Sequence, residues 1–218
     1  MTVRQVHSDV IHYVSAPLAE RLVGDGLVTD TPGLAIAVLV ADCLPVIVVD
    51  RKKRAVGVFH AGWRGTVKRI VEKGVGRMRL HSGSRPGDLK AAIGPGVHNC
   101  CYKVGEEVRE NFQSQFRYAD ALFHEVKESD PVREKYPMLF MTMRPPGHST
   151  LPVNIFLDLV EANRRQLLDS GLRRNNIWAS ELCTSCSTGV LFSHRAENGD
   201  TGRMMGLVAV RGGQRARQ

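Results

Sequence analysis

Three residues of types suited to chemistry stand in short, distinctive surroundings: His7 in "RQVHSDV", Cys43 in "ADCLPV" and His60 in "FHAGWRGT". Two imidazoles and a thiolate suit a borderline-soft ion such as zinc. Three protein ligands leave a fourth tetrahedral position open, which is the pattern of a catalytic rather than a structural site. The same residues also suit covalent catalysis, with Cys43 as nucleophile and His60 as its base. Their spacing matches no zinc-finger signature, so residue types leave both chemistries open. A lone Cys is more often an inert small hydrophobe, and a lone His a satisfied structural group. The setting of Cys43 argues against inertness, because Asp42 beside it interrupts an apolar run and needs a hydrogen-bonding partner wherever it is buried.

Cations and further thiols surround these motifs. Arg64 follows Trp63 in "HAGWRGT", and Arg195 and Arg203 lie in the Gly-containing polar stretch "SHRAENGDTGRM". Guanidinium groups in such loops suit phosphate or carboxylate, and a solvated surface turn explains the last pair equally well. "CTSC" (183–186) and the adjacent pair Cys100–Cys101 could make a four-thiolate zinc site or a redox site. No second CxxC supports this, and neighbouring cysteines chelate poorly, so reduced structural thiols are the favoured expectation.

The elements that must carry these residues are legible from hydrophobic patterning. "LAIAVLV" (34–40), "PVIVVD" (45–50) and "AVGVF" (55–59) read as buried strands, the last two joined through "RKKR" as a hairpin, with Pro45 ending the pairing beside Cys43. Val67, Ile70, Val71, Val75 and Met78 form one stripe of a helix over 66–80, weakened by Gly74 and Gly76. "HSGSRPGD" (81–88) reads as a loop and "LKAAI" (89–93) as a strand. Further helices are expected over 105–118 and 155–170, the latter closed by Gly171, with a long connection over 127–150 between them and a last strand in "MMGLVAV" (204–210). No repeat and no linker divides the chain, which gives one mixed α/β domain over 1–210 and a basic tail over 211–218.

Composition narrows the class. With 218 residues, 43% hydrophobic and 24% charged, the chain is long enough to bury a core unaided and reads as soluble and globular. A net charge of +8 favours anionic partners. Five cysteines and the start "MTVRQVHSDV", which lacks a charged head followed by an apolar region, point to a reducing compartment and to the cytoplasm. The apolar run containing Asp42 and Pro45 is too interrupted to span a membrane.

"QVHSD", "VADCLPV", "HAGWRGT", "AIGPGVHNCCYKVGEEV", "LDLVEANRRQL", "LCTSC" and "LFSHRAENGDTGRMMGLVAV" occur together and in order. On these motifs, which cover nearly the whole chain, the sequence resembles the YfiH family, also labelled the polyphenol-oxidase or laccase domain family. The resemblance implies an α+β fold of layered β-sheets packed between helices. It implies a zinc-dependent purine nucleoside enzyme, with phosphorolysis of adenosine, inosine, guanosine or methylthioadenosine and deamination of adenosine. It assigns the metal to His7, Cys43 and His60, which are also the catalytic residues, and makes purine nucleosides and phosphate the partners. Two departures stand out. Relatives usually carry a segment resembling "STRxGGVS…NL" ahead of QVH that this sequence does not show, and the sequence leaves open whether activity depends on it. They also tend to have Ala before the Asp that matches Asp25.

Within that reading Arg64, Arg195 and Arg203 are candidates to hold phosphate or substrate, and Asp42 to orient a ligand. The alternatives are a Cys43–His60 hydrolase acting on amides or peptidoglycan precursors, a copper-dependent phenol oxidase, and a non-enzymatic basic RNA-binding module. Copper fits less well than zinc, because the His-rich clusters of a multicopper centre are missing. Nucleic acid fits poorly, because aromatics are only 6% of the chain and no stacking motif accompanies the charge. A monomer or weak homo-oligomer is expected.

Overall fold

The structure is a computed structural model and describes residues 1–127, 135 and 153–212. Its centre is a six-stranded mixed sheet in the order β1 (Ile11–Tyr13), β2 (Gly26–Thr29), β5 (Ala55–Ala61), β4 (Leu44–Asp50), β6 (Lys90–Ile93), β10 (Ile177–Ala179). The end pairs β1–β2 and β6–β10 are parallel, and the interior pairs are antiparallel. One face is covered by helices α2 (Ile70–Ser82) and α4 (Leu159–Asp169), and the other by an antiparallel pair, β3 (Ala35–Val40) with β11 (Met204–Ala209). A three-stranded sheet, β7 (Lys103–Val104), β9 (Val153–Leu157) and β8 (Phe123–Lys127), and helix α3 (Glu106–Gln115) complete an α+β fold.

Both faces of the central sheet are buried, and so β5 is buried along its whole length and runs apolar from Ala55 through Phe59 instead of alternating. Alternation survives in what each residue touches. Phe59 and Ala61 join the core beneath α2, whereas Val56 and Val58 join the core beneath β3 and β11. His60 shares the parity of Val58, and this directs it away from the helical layer.

The expected strands and hairpin are present, with three differences. Pro45 does not end the pairing: it stands inside β4 opposite His60, and its carbonyl accepts from Gly94 N–H at 2.9 Å. It lies only one residue into the strand and keeps its ladder role through the carbonyl, so the missing N–H does not break the sheet. The helix expected over 66–80 is broken into α1 (Trp63–Val67) and α2, with Arg69 between them in the left-handed region (φ 63°). The Thr66 carbonyl explains the break. It accepts from Arg69 N–H and from Gln166 Nε2 at 2.7 Å, so it is not available to continue the helix.

The helix expected over 155–170 begins only at Leu159, because Ile155–Leu157 pair with β8 and Asp158 caps the helix by accepting Glu161 N–H at 2.8 Å. Gly171 (φ 94°) follows its last turn as expected. The helix expected over 105–118 is α3, and Phe116 leaves it in extended conformation. The long connection over 127–150 and the tail over 211–218 lie almost wholly outside the described residues. Among the described residues no helix is long and apolar enough to cross a membrane.

Two glycines of α2 have opposite surroundings. A Cβ on Gly74 would lie 2.3 Å from Phe59 Cζ, whereas one on Gly76 would meet nothing within 4 Å. Gly74→Ala is expected to destabilise the chain by about 1–3 kcal/mol through overpacking. Gly76→Ala should stabilise it by about 0.5–1 kcal/mol through helix propensity. Denaturant midpoints moving in opposite directions check the pair.

Candidate metal centre

The site sits where three chain segments meet at one end of β4 and β5. His60 is carried inside β5, Cys43 by the bend between β3 and β4, and His7 by the segment entering β1. One ligand atom from each converges, all within 4.8 Å of one another. His7 Nε2 stands 3.9 Å from Cys43 Sγ. Zinc bonds of about 2.3 Å to sulfur and 2.0 Å to nitrogen at a tetrahedral angle place those atoms about 3.5 Å apart, so the donors already stand near metal-binding separation. A Cβ on Gly62 would come within 2.8 Å of Cys43 Sγ and 3.2 Å of His7 Cδ2, so the second half of "HAG" keeps the ligands' space free.

Asp25 organises two of the three ligands. Fully buried, it takes His60 Nδ1 at 2.8 Å and the backbone N–H groups of Val6, His7 and Ser8 at 3.2, 3.0 and 2.6 Å, with Ser8 Oγ at 2.7 Å. Fixing Nδ1 on a carboxylate leaves Nε2 of His60 as the nitrogen free to ligate a metal and raises its basicity. The carboxylate also anchors His7, whose backbone is left-handed (φ 56°), a conformation that costs a non-glycine residue on the order of 1 kcal/mol.

The charges in this cluster reinforce one another. Burial opposes ionisation of Asp25, but the His60, Ser8 and Val6 hydrogen bonds outweigh it and hold the carboxyl well below its usual range. Burial would push the Cys43 thiol up, yet its hydrogen bonds to His60 and His7 bring it down to about 7. Burial likewise opposes protonation of His60, and the Asp25 and Cys43 hydrogen bonds overcome this and raise it to about 9. A thiolate is therefore accessible near neutral pH, the form needed both by a metal and by a nucleophile.

Asp42, buried at the corner beside Cys43, has φ 81°. Thr184 Oγ1 and Ser193 Oγ donate to its Oδ1 at 2.6 and 2.7 Å, and Arg195 N–H donates to Oδ2 at 2.7 Å. Its carboxylate thus fastens the 184–195 loop to the corner, while the contact to the His60 imidazole is made by Asp25. Cys43, His7 and His60 open into a cleft of about 860 Å³, a size suited to a small-molecule ligand. Its walls include Arg64, Arg195 and Arg203, all expected from sequence, together with Arg4, Arg21, Trp63 and Tyr102. The Arg64 guanidinium lies 4.3 Å from the Trp63 ring centroid and that of Arg195 lies 5.3 Å from Tyr102. Arg203 Nη1 donates to the Thr201 and Gly202 carbonyls. Burial pushes the Tyr102 phenol up, so it keeps its proton.

Residues 1–211 match the family model described as multi-copper polyphenol oxidoreductase laccase. The chain belongs to this family. Among its relatives is the purine nucleoside phosphorylase YlmD of Geobacillus stearothermophilus, 36% identical over 187 residues that cover 86% of this chain and 60% of that protein. Adenosine deaminase RL5, from an unknown prokaryotic organism, is 34% identical over 82% of this chain and 59% of its own length. The chain thus spans about six-tenths of these curated relatives. Among solved structures, the Bacillus licheniformis hypothetical protein YfiH superposes with a TM-score of 0.79 at 33% identity, covering 96% of this chain and 73% of that one. YlmD of Geobacillus stearothermophilus follows with 0.75 at 34% identity, covering 96% and 72%.

Residue types alone did not single out Asp25. Its signal was a carboxylate between two glycines at the mouth of an apolar strand, "GDGLVT", where a charge is tolerated only with partners. Asp25→Asn keeps the shape but turns one acceptor into a donor, and both carboxylate oxygens already face donors. A loss of about 3 kcal/mol at neutral pH is expected, as for breaking a buried ion pair. Asp25 has a depressed pKa, so its contribution is present above its ordinary value of 3.8 and drains away as the pH falls below that value. The variant should lose most of this acid slope in denaturant titrations of metal-free protein across acidic pH.

Proposed function

We propose that the chain acts as a zinc-dependent purine nucleoside enzyme, cleaving nucleosides by phosphorolysis and deaminating adenosine. The observation that carries this reading is the convergence of His7, Cys43 and His60 at the floor of an arginine-lined cleft. The site opens on one side, as a catalytic zinc centre requires. Zinc held by these residues would supply Lewis acidity beside the bound substrate. The relatives named as purine nucleoside phosphorylases and an adenosine deaminase support the substrate class. Cytoplasmic nucleosides and phosphate are the proposed partners.

The chain's own residues have separable tasks. Asp25 holds the His60 ring and the His7 backbone, so that both imidazoles face Cys43. Arg64 and Arg195, stacked on Trp63 and Tyr102, present guanidinium groups to a phosphate and keep them from collapsing onto the thiolate. In phosphorolysis a phosphate oxygen forms the bond to ribose C1′ as the bond to the purine nitrogen breaks, and the arginines hold the attacking anion in place. Tyr102, neutral and mostly buried, closes the cleft beside Cys43. Copper oxidation of phenols is less well supported. Among the described residues the only other convergent group of three or more His, Cys or carboxylate donors is made of cysteines, so no His-rich copper cluster accompanies the site.

A second reading rests on Asp25–His60–Cys43, which is also the order of an orienting carboxylate, a base and a nucleophile in a thiol hydrolase. Alkylation that abolishes amide hydrolysis while zinc stays bound would favour it.

The direct test incubates the zinc-loaded chain with inosine or adenosine, with and without phosphate. Free base that appears only with phosphate, and ammonia from adenosine, are the expected products. Base release independent of phosphate excludes phosphorolysis, and the absence of any turnover overturns the proposal. Cys43→Ala should lose both this zinc and turnover. Arg64→Ala should raise the KM for phosphate about tenfold, the equivalent of one charge-assisted bond of about 1.5 kcal/mol. Protons compete with the metal for His60, at about 9, and for Cys43, at about 7. Zinc affinity at this centre should therefore fall as the pH drops from about 9 and fall more steeply below about 7, with proton release on uptake. Competition titrations with a chromogenic chelator read both.

A further inference from the structure

Outside the cleft, four of the five cysteines gather at one place. Cys100 and Cys101 lie in the turn after β6, and Cys183 and Cys186 in the loop after β10. Their sulfurs all lie within 4.8 Å of one another. Cys186 Sγ stands 3.7 Å from Cys100 Sγ and 3.3 Å from Cys101 Sγ. Four sulfurs bound tetrahedrally to one zinc at about 2.3 Å are separated by about 3.8 Å. They surround one point, whereas a disulfide would draw two of them to about 2.05 Å and leave the other pair unused.

We propose that Cys100, Cys101, Cys183 and Cys186 form a second, structural zinc site. Adjacent cysteines chelate poorly on an extended chain, but this turn removes the difficulty. Cys101 N–H and Tyr102 N–H both donate to the His98 carbonyl, at 2.9 and 2.8 Å, curling the backbone so that both thiols reach Cys186. Cys183 is buried, and its sulfur accepts His98 N–H at 3.4 Å, a contact that favours a thiolate. Four protein ligands close the coordination sphere, so the site has no place for substrate. An iron–sulfur cluster binds its cysteines through separate irons and needs wider sulfur spacing than this, whereas a single soft divalent ion with four thiolates matches zinc.

The site's position gives it a task. Cys183 bridges Gly96, Thr184 N–H donates to the Gly96 carbonyl at 2.9 Å, and Val97 N–H donates to the Asp42 carbonyl at 2.8 Å. Thr184 Oγ1 reaches the Asp42 carboxylate. Zinc here fastens the two loops that hold the Asp42 corner, and Asp42 is the neighbour of Cys43. Tyr102, which carries Arg195 on its ring, follows directly on Cys101.

The test uses the full chain, purified under reducing conditions, loaded with zinc alone and desalted, with metal per chain measured by plasma mass spectrometry. The expected result is about two zinc ions in the unaltered chain, about one in Cys43→Ala, about one in Cys186→Ser and none in the double variant. Zinc retained by Cys43→Ala comes from the cysteine site alone, so this arm stands whether or not the cleft binds metal. Cobalt added to Cys43→Ala should give an intense sulfur-to-metal charge-transfer band, a readout that does not need Cys186→Ser to fold. In Cys186→Ser the amides of Val97 and Thr184 should exchange hydrogen about tenfold faster. A folded Cys43→Ala chain that retains no zinc and gives no cobalt band overturns the proposal. So does a disulfide among these four cysteines in protein isolated with its thiols blocked, or iron in place of zinc.

Discussion

The Asp25 carboxylate is the constraint on which the site depends. A buried charge is tolerable only when almost every lone pair is used, and here five donors reach it, from the backbone of residues 6–8, the Ser8 hydroxyl and the His60 ring. In satisfying itself it ties the entry segment to β2 and β5 and sets which imidazole nitrogen faces Cys43. It also keeps the left-handed backbone at His7 from relaxing. Asp25 is therefore a structural anchor and an electrostatic one at once, and removing its charge would loosen two candidate metal ligands together.

Asp42 does the same at the other side of the thiolate. Between β3 and β4 the chain leaves the outer pair of strands and enters the central sheet, and the change of layer is made at a left-handed corner. The corner persists because Thr184, Ser193 and the Arg195 amide converge on the carboxylate. Residues far apart in sequence thereby fix one thiol, and the loop that does so carries an arginine into the cleft. Packing explains why the arrangement is rigid. His60 is buried inside a strand covered on both faces, and its Nδ1 is held by the Asp25 carboxylate, so the ring that lines the cleft is fixed in one orientation.

Much of the fold was legible because its signals are local. "PVIVVD-RKKR-AVGVF" has one outcome as a buried hairpin, and Gly171 marks the end of α4 as its backbone requires. Where the sequence misled, a long-range partner had intervened. Helix propensity runs on through Lys68 and Arg69, but Gln166 takes the Thr66 carbonyl. The apolar spacing of Ile155 and Leu157 fits a helix as well as a strand, and pairing with β8 decided for the strand. Pro45 looked like a terminator because only the missing N–H is visible in sequence, whereas its carbonyl is the half that bonds.

The sequence by itself singled out a thiol and two imidazoles in distinctive motifs, without choosing between metal binding and thiol chemistry, and it determined the apolar strands that carry them. It also supplied the arginines, though not their stacking. What only the tertiary structure decided was which carboxylate serves which ligand, and that Cys100 and Cys101 meet Cys183 and Cys186. Both depend on contacts between residues that lie tens of positions apart along the chain. Hydrophobic periodicity reports which face a residue takes, but partners for a buried charge or a thiolate are chosen by where the layers bring the loops.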